Sequence, residues 1–93
     1  MQVFSQEEAR SRLGALPGWE IEEGMLVRTF KFKNFRTALH FVNRVGDAAE
    51  EAGHHPDIDI RYNRVRLSLT THDAGGLTEK DFGLAGEAQK LAE

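Results

Sequence analysis

The chain has 93 residues, 40% of them hydrophobic and 29% charged, and its 12 Lys and Arg against 15 Asp and Glu give a net charge of −3. This length suits one domain, and no basic run provides the phosphate contacts that nucleic-acid binding needs. The chain has no cysteine, which excludes a disulfide scaffold, a thiolate zinc site and a cysteine nucleophile. No apolar run is long enough to span a membrane, and the first residues do not resemble a signal peptide. We therefore expect a cytoplasmic protein with no membrane or nucleic-acid partner.

The first third of the chain predicts a helix followed by two strands. Ser5 and Glu8 have the spacing of a capping box, and the helix that they open is predicted to end at Pro17-Gly18. Alternating apolar and polar residues follow, with a turn at 22–24. This pattern predicts a first hairpin.

Segment 34–52 carries the strongest helical pattern of the chain. Its apolar residues recur at spacings of three and four and predict one buried stripe, made of Phe35, Ala38, Leu39, Val42, Val45, Ala49 and Ala52. Phe41 and Ala48 fall outside this stripe, either as incidental surface residues or as a contact face for another subunit. Gly53 fits the left-handed position after a helix end, and Pro56 prevents the helix from continuing.

Residues 57–70 contain two runs of alternating apolar and polar side chains, typical of a second hairpin. If Asn63-Arg64 is a two-residue turn, Tyr62 lies opposite Val65 and the numbers of paired residues sum to 127. Both apolar sets then lie on one side of the sheet. This register predicts that Ile58 is a core residue.

The predicted elements follow in the order helix, two strands, helix, two strands, helix. The last helix begins after Gly75-Gly76, where Thr78 and Asp81 have the spacing of another capping box. We predict a single α+β domain over residues 1–93, with an αββαββα order and a four-stranded antiparallel sheet with helices packed on one face. Because the domain is small and has a sheet edge to cover, we expect a homodimer or homotetramer.

Three of the four histidines are predicted to lie together. The predicted register places His55 opposite His72, with Cβ atoms roughly 4.5–5.5 Å apart, and His54 is adjacent in the chain. Glu50 and Asp81 are expected at the same end of the hairpin. Imidazoles and carboxylates in one cleft suit proton transfer near neutral pH.

Each of these residues also has a purely structural interpretation. His54 and His55 can cap the preceding helix, and His72 can be a surface residue at a strand end. Glu50 can be a solvated charge, and Asp81 can serve only the capping box. Three imidazoles can hold zinc, but two adjacent histidines can hardly reach one ion, so we expect no metal site. The convergence of three histidines favours a catalytic site.

One ordered set of residues is specific to a family: Glu50, His54-His55-Pro56, Tyr62, Thr71-His72, Gly76-Leu77-Thr78 and Asp81. It resembles the signature of the pterin-4a-carbinolamine dehydratases. The resemblance covers nearly the whole chain and implies the αββαββα fold, oligomeric assembly, and no cofactor, since the pterin is the substrate. It implies a pterin site with His54, His55 and His72 as catalytic residues and these substrate-binding residues: Glu50, Pro56, Thr71, Asp73, Ala74 and Asp81. Many relatives have an aromatic residue where this chain has Ile58.

The implied reaction is the dehydration of a 4a-hydroxytetrahydropterin to a quinonoid dihydropterin, which recycles the pterin for an aromatic amino-acid hydroxylase. A protonated imidazole donates to the leaving hydroxyl and a neutral one accepts the N5 proton, catalysis typically worth about 10²–10⁴-fold. We assign His54 and His72 to this pair and His55 to holding the pterin. The alternative is a non-catalytic dimerisation module, since some relatives also act as dimerisation partners of a transcription factor.

Overall fold

A computed structural model describes residues 2–93 and contains a four-stranded sheet and three helices. The strands form where apolar and polar residues alternate, and the helices form where apolar residues recur at helical spacing. The elements are α1 (Gln6–Leu13), β1 (Glu20–Glu22), β2 (Met25–Lys31), α2 (Phe35–Ala52), β3 (Asp57–Arg61), β4 (Arg64–Leu69) and α3 (Glu79–Leu91). All strand pairs are antiparallel, in the order β1-β2-β4-β3. The predicted α+β class and αββαββα order are confirmed.

The beginnings of the helices and the end of α2 follow from local side-chain chemistry, as the sequence predicts. The predicted end of α1 at Pro17-Gly18 is wrong, because the helix ends at Leu13 with Gly14 as its C-cap. The Ser5 hydroxyl accepts a hydrogen bond from the Glu8 amide at 3.1 Å, and the Asn34 side chain accepts one from the Thr37 amide at 2.9 Å. Gly53 ends α2 in the left-handed region at φ 64°, which glycine adopts without a steric penalty. These caps fix where α1 and α2 begin and where the chain leaves α2 toward the histidines.

The core lies between the helices and one face of the sheet. The central pair, β2 and β4, places Leu26 opposite Leu69 and Phe30 opposite Val65, and all four side chains are buried. The other face carries mostly charged and polar side chains, in keeping with the alternation of the strands. The predicted placement of the helices on one face is therefore confirmed.

The predicted buried stripe of α2 is partly wrong. Phe41, placed outside it by the sequence, is only 2% exposed, and its ring centroid lies 4.8 Å from those of both Phe30 and Phe32. Three residues placed inside it are exposed, namely Phe35, Leu39 and Ala52, with Phe35 exposed to 47%. Apolar residues cover a broad arc of this helix, so periodicity alone allows more than one orientation. Packing against the two phenylalanines near the end of β2 selects the orientation that buries Phe41.

The predicted register of the second hairpin is wrong by two residues. Ile58 pairs with Leu67 and Arg61 pairs with Arg64, so the paired numbers sum to 125. The turn is formed by Tyr62 and Asn63, with Tyr62 in the left-handed region at φ 53°. A shift by two residues keeps every side chain on its predicted face, because side chains alternate with a period of two.

The prediction that Ile58 is a core residue is also wrong. Strand β3 is the outer strand of the sheet beside β4, and Ile58 is 38% exposed and Ile60 37%. Their cross-strand partners Leu67 and Val65 are almost completely buried. The face is the predicted one, but the helices cover β2 and β4 and leave β3 open.

Candidate active site

His54 is held in place by the start of α3. It follows the C-cap Gly53, and its backbone amide donates to the Ala49 carbonyl at 3.1 Å. Its ring atom Nε2 lies 2.6 Å from Oδ1 of Asp81, with the histidine side chain 10% exposed and the aspartate fully buried. The capping segment of α2 and the first turn of α3 together fix this imidazole.

Asp81 is the centre of a buried hydrogen-bond chain. Its Oδ2 accepts from the Thr71 hydroxyl at 2.7 Å and from the Thr78 amide at 2.9 Å. The Thr71 hydroxyl donates its one hydrogen to Asp81 and can therefore only accept from the Thr78 hydroxyl, 2.8 Å away. The Thr78 hydroxyl in turn accepts a hydrogen bond from the Lys80 amide. The ionised carboxylate has only acceptor atoms, which assigns the hydrogen facing Oδ1 to Nε2 of His54. The free ring atom of a neutral His54 is then Nδ1.

His55 forms a second carboxylate pair, and this one faces solvent. Its Nε2 lies 2.5 Å from Oε2 of Glu50, which belongs to the last turn of α2. Both side chains are largely exposed, so the pair contributes little to the stability of the fold. The contact does restrict the direction in which the His55 ring points.

His72 belongs to a tight loop that follows β4. Thr71 forms an isolated bridge with Gly76, and the Gly75 amide donates to the carbonyls of Thr71 and His72. The loop ends the alternation that the predicted His55–His72 pairing depends on, so that pairing is wrong. His72 is exposed, and no side-chain hydrogen bond to it is found within residues 2–93.

The three histidines nevertheless line one cavity, of about 240 Å³. Its lining residues are Gly53, His54, His55, Thr70, Thr71, His72, Asp73 and Lys80. A second cavity of about 290 Å³ shares three of them and is lined by Thr71, Asp73, Ala74 and Lys80. The structure thus brings together most of the residues that the sequence singles out.

Three predicted site residues lie outside the lining of these cavities. Asp81 contacts His54 and Glu50 contacts His55, but neither carboxylate lines a cavity. Pro56 directly precedes β3. Lys80, by contrast, lines both cavities and is absent from the sequence prediction. Its position in the first turn of α3, two residues after the Thr78 cap, is the signal that could have identified it.

Neither a metal centre nor a membrane span is found in the described part of the chain. Within residues 2–93, no three His, Cys, Asp or Glu side chains are arranged to hold a metal ion. No helix in the same range has the length and apolar composition needed to cross a bilayer.

The fold and the cavity define a small α+β protein with a histidine-lined site at one end of its sheet. The profile of the family described as pterin 4 alpha carbinolamine dehydratase matches residues 2–91. A provisionally named pterin-4-alpha-carbinolamine dehydratase from Chloroflexus aurantiacus is 56% identical over 98% of both chains. One from Thermomicrobium roseum is 62% identical over 88% of both chains. The chain belongs to the pterin 4 alpha carbinolamine dehydratase family.

Two solved structures share the fold. The transcriptional coactivator/pterin dehydratase from Brucella melitensis superposes with a TM-score of 0.96 at 35% identity, over 99% of this chain and 100% of that one. A pterin dehydratase-like protein, a RuBisCO assembly factor of the alpha-carboxysome, gives a TM-score of 0.66 at 24% identity, over 80% of this chain and 86% of that one. Because these two proteins are described with different functions, the fold alone does not define an activity.

Proposed function

We propose that the protein is a hydro-lyase that converts a 4a-hydroxytetrahydropterin to a quinonoid dihydropterin and water. The observation that carries this proposal is the convergence of His54, His55 and His72 on one cavity. In the reaction the C4a–O bond breaks, the hydroxyl leaves as water after receiving a proton, and N5 loses its proton as the C4a–N5 double bond forms. The elimination involves no net oxidation or reduction, and the proposed mechanism uses no cofactor.

His54 and His72 form the proposed acid–base pair. Asp81 holds Nε2 of His54, which leaves Nδ1 to exchange a proton with the pterin. The buried carboxylate also stabilises the imidazolium that forms when His54 accepts that proton. His72 faces solvent, from which it can recover a proton after each turnover. Microscopic reversibility lets the two exchange roles in the hydration direction.

The remaining site residues hold the substrate in this proposal. His55, oriented by Glu50, positions the pterin ring and leaves the proton transfers to the other two histidines. The other proposed substrate-binding residues are Pro56, Thr71, Asp73 and Ala74. We add Lys80 to this group because it lines both cavities. Asp81 acts through His54 and is a positioning residue.

A kinetic experiment tests the activity. Freshly generated 4a-hydroxytetrahydropterin is mixed with the protein, and the appearance of quinonoid dihydropterin is followed by absorbance. We expect the wild-type protein to accelerate dehydration and His54→Ala to lose most of that acceleration. His40→Ala is the matched control, because this fourth histidine is exposed on α2 away from the cavity. A wild-type rate equal to the spontaneous rate contradicts the proposal and favours the non-catalytic dimerisation module.

We further propose that the protein assembles as a homodimer or homotetramer. Five large apolar residues are exposed on β3, its turn and α2: Phe35, Leu39, Ile58, Ile60 and Tyr62. Strand β3 is also one of the two edge strands of the sheet, and a second copy can pair with its free edge. Ile58→Lys places a charge on this edge and should yield monomers in sedimentation. A wild-type species of 10.5 kDa at micromolar concentration contradicts this proposal.

The proposed cellular role is pterin recycling in the cytoplasm. The quinonoid product is one reduction step from a tetrahydropterin, so the enzyme would serve an aromatic amino-acid hydroxylase that releases the 4a-hydroxy form. The absence of cysteine is in keeping with a reducing compartment. Deleting the gene in its source cell should slow pterin-dependent hydroxylation, and an unchanged hydroxylation rate argues against this role.

A further inference from the structure

Three basic residues lie side by side on the face of the sheet that carries no helix. Lys31 of β2 is the direct partner of Arg64 in β4, and Arg64 is the direct partner of Arg61 in β3. We call these three residues the basic row. Like charges directly opposite one another destabilise a sheet, so three neighbouring basic side chains with no anion between them are unfavourable. An anion bound between them would remove this repulsion.

Two members of the basic row, Arg61 and Arg64, line a concave site, and Lys31 lies next to Arg64 outside its lining. A cavity of about 380 Å³ is lined by Thr29, Asp59, Arg61, Arg64 and Arg66. Arg61 pairs with Asp59 at 3.3 Å, and Arg66 pairs with Glu22 at 2.9 Å. Within residues 2–93, Lys31 and Arg64 form no ion pair. Arg64 therefore brings to the cavity a positive charge that no carboxylate of the described residues pairs with, and Lys31 adds a second such charge beside it.

We propose that the basic row binds a compact phosphate-type oxyanion, such as a phosphate ester or a diphosphate. Arginine side chains present a planar fork of N–H donors that matches phosphate oxygens, and Arg64 is free to use both arms. Lys31, the cross-strand partner of Arg64, adds a point charge next to the cavity, and the hydroxyl of the lining residue Thr29 can donate a hydrogen bond.

The surrounding charges favour a small anion over a long polyanion. Carboxylates flank the row on the same face, with Glu22 on the β1 side and Asp57 and Asp59 on the β3 side. A nucleic-acid strand laid along this face would meet those carboxylates, whereas a diphosphate fits between them. Arg64 is the first residue of β4, and Thr70, which lines the histidine cavity, directly follows the last one. These six residues of extended chain span roughly 20 Å at about 3.3 Å per residue. The proposed anion site is therefore separate from the histidine cavity and independent of the proposed dehydratase activity.

Titration calorimetry with sodium diphosphate at low ionic strength tests the proposal. We expect saturable binding by the wild-type protein, weakened about ten-fold or more in Arg64→Gln. Arg44→Gln is the matched control, because it removes the same charge from an exposed position of α2. Lys31→Gln repeats the test with a second member of the row in case Arg64→Gln fails to fold.

Thermal melting gives an independent measurement. Diphosphate should raise the melting temperature of the wild-type protein and of Arg44→Gln, but not that of Arg64→Gln. In anion-free buffer Arg64→Gln should melt no lower than the wild type, because the substitution removes like-charge repulsion. No saturable binding of diphosphate, or equal loss in Arg44→Gln, overturns the proposal. A single-stranded oligonucleotide that binds more tightly than diphosphate and depends on Arg64 overturns the compact-anion assignment in favour of nucleic acid.

Discussion

Asp81 and His54 are 27 residues apart in the chain, and their side chains meet at 2.6 Å between Oδ1 and Nε2. The other carboxylate oxygen of Asp81 accepts the Thr78 amide and so closes the capping box of α3. One buried side chain therefore starts a helix with one oxygen and orients a histidine with the other. Stability and proposed catalysis are coupled at this residue.

Asp81→Asn is expected to lower both stability and turnover. An amide keeps one acceptor oxygen, so either the cap or the His54 contact loses its acceptor, at a cost of about 1–3 kcal/mol for a buried group. Urea unfolding and kcat measure the two effects. Glu8→Gln is the matched control, because Glu8 holds the same capping-box position in exposed α1 and should leave kcat unchanged. Unchanged stability with abolished turnover would show that the cap is the minor role.

Alanine variants of the three histidines should separate kinetically. We expect His54→Ala and His72→Ala to lose kcat by about 10²-fold or more with KM largely retained, because each removes a proton-transfer group. His55→Ala should raise KM first, because its role is to hold the ring. A pterin complex in which His72 lies beyond hydrogen-bond reach of the ring, even through one water, would refute the assignment.

Phe41→Ala and Phe35→Ala should differ sharply in stability. Phe41 is buried against Phe30 and Phe32, and removing a buried phenylalanine ring costs about 3–5 kcal/mol. Phe35, on the first turn of the same helix, is 47% exposed and should cost under about 1 kcal/mol in the isolated monomer. Denaturant unfolding of dilute protein measures both, and equal losses would mean that α2 packs with a different face.

Leu67→Ala should destabilise the monomer more than Ile58→Ala, although the two residues are cross-strand partners. Leu67 is 1% exposed, and burial of this kind is worth about 2–5 kcal/mol, whereas Ile58 is open on the outer strand. Denaturant unfolding at protein concentrations too low for association measures the free energy of unfolding of the monomer. Similar losses for the two variants would indicate that β3 is covered within one chain.

Local chemistry determines much of this protein without reference to tertiary contacts. The Ser5 and Thr78 caps, the left-handed Gly53 and the alternation of the strands predicted every element and its order. They also predicted which side chains face the core side of the sheet. These features depend on residues at most a few positions apart, which a linear sequence displays directly.

Only the tertiary structure decided the remaining relationships. A two-residue shift of register leaves period-two alternation unchanged, so the sequence could not choose between sums of 127 and 125. A broad apolar arc does not specify which part of α2 turns inward, and the contact with Phe30 buries Phe41. The pairing of β2 with β4 leaves Ile58 on the outer strand, and the packing of α3 beside the end of α2 brings Asp81 to His54. Each of these depends on contacts between segments far apart in the chain, and no local pattern encodes them.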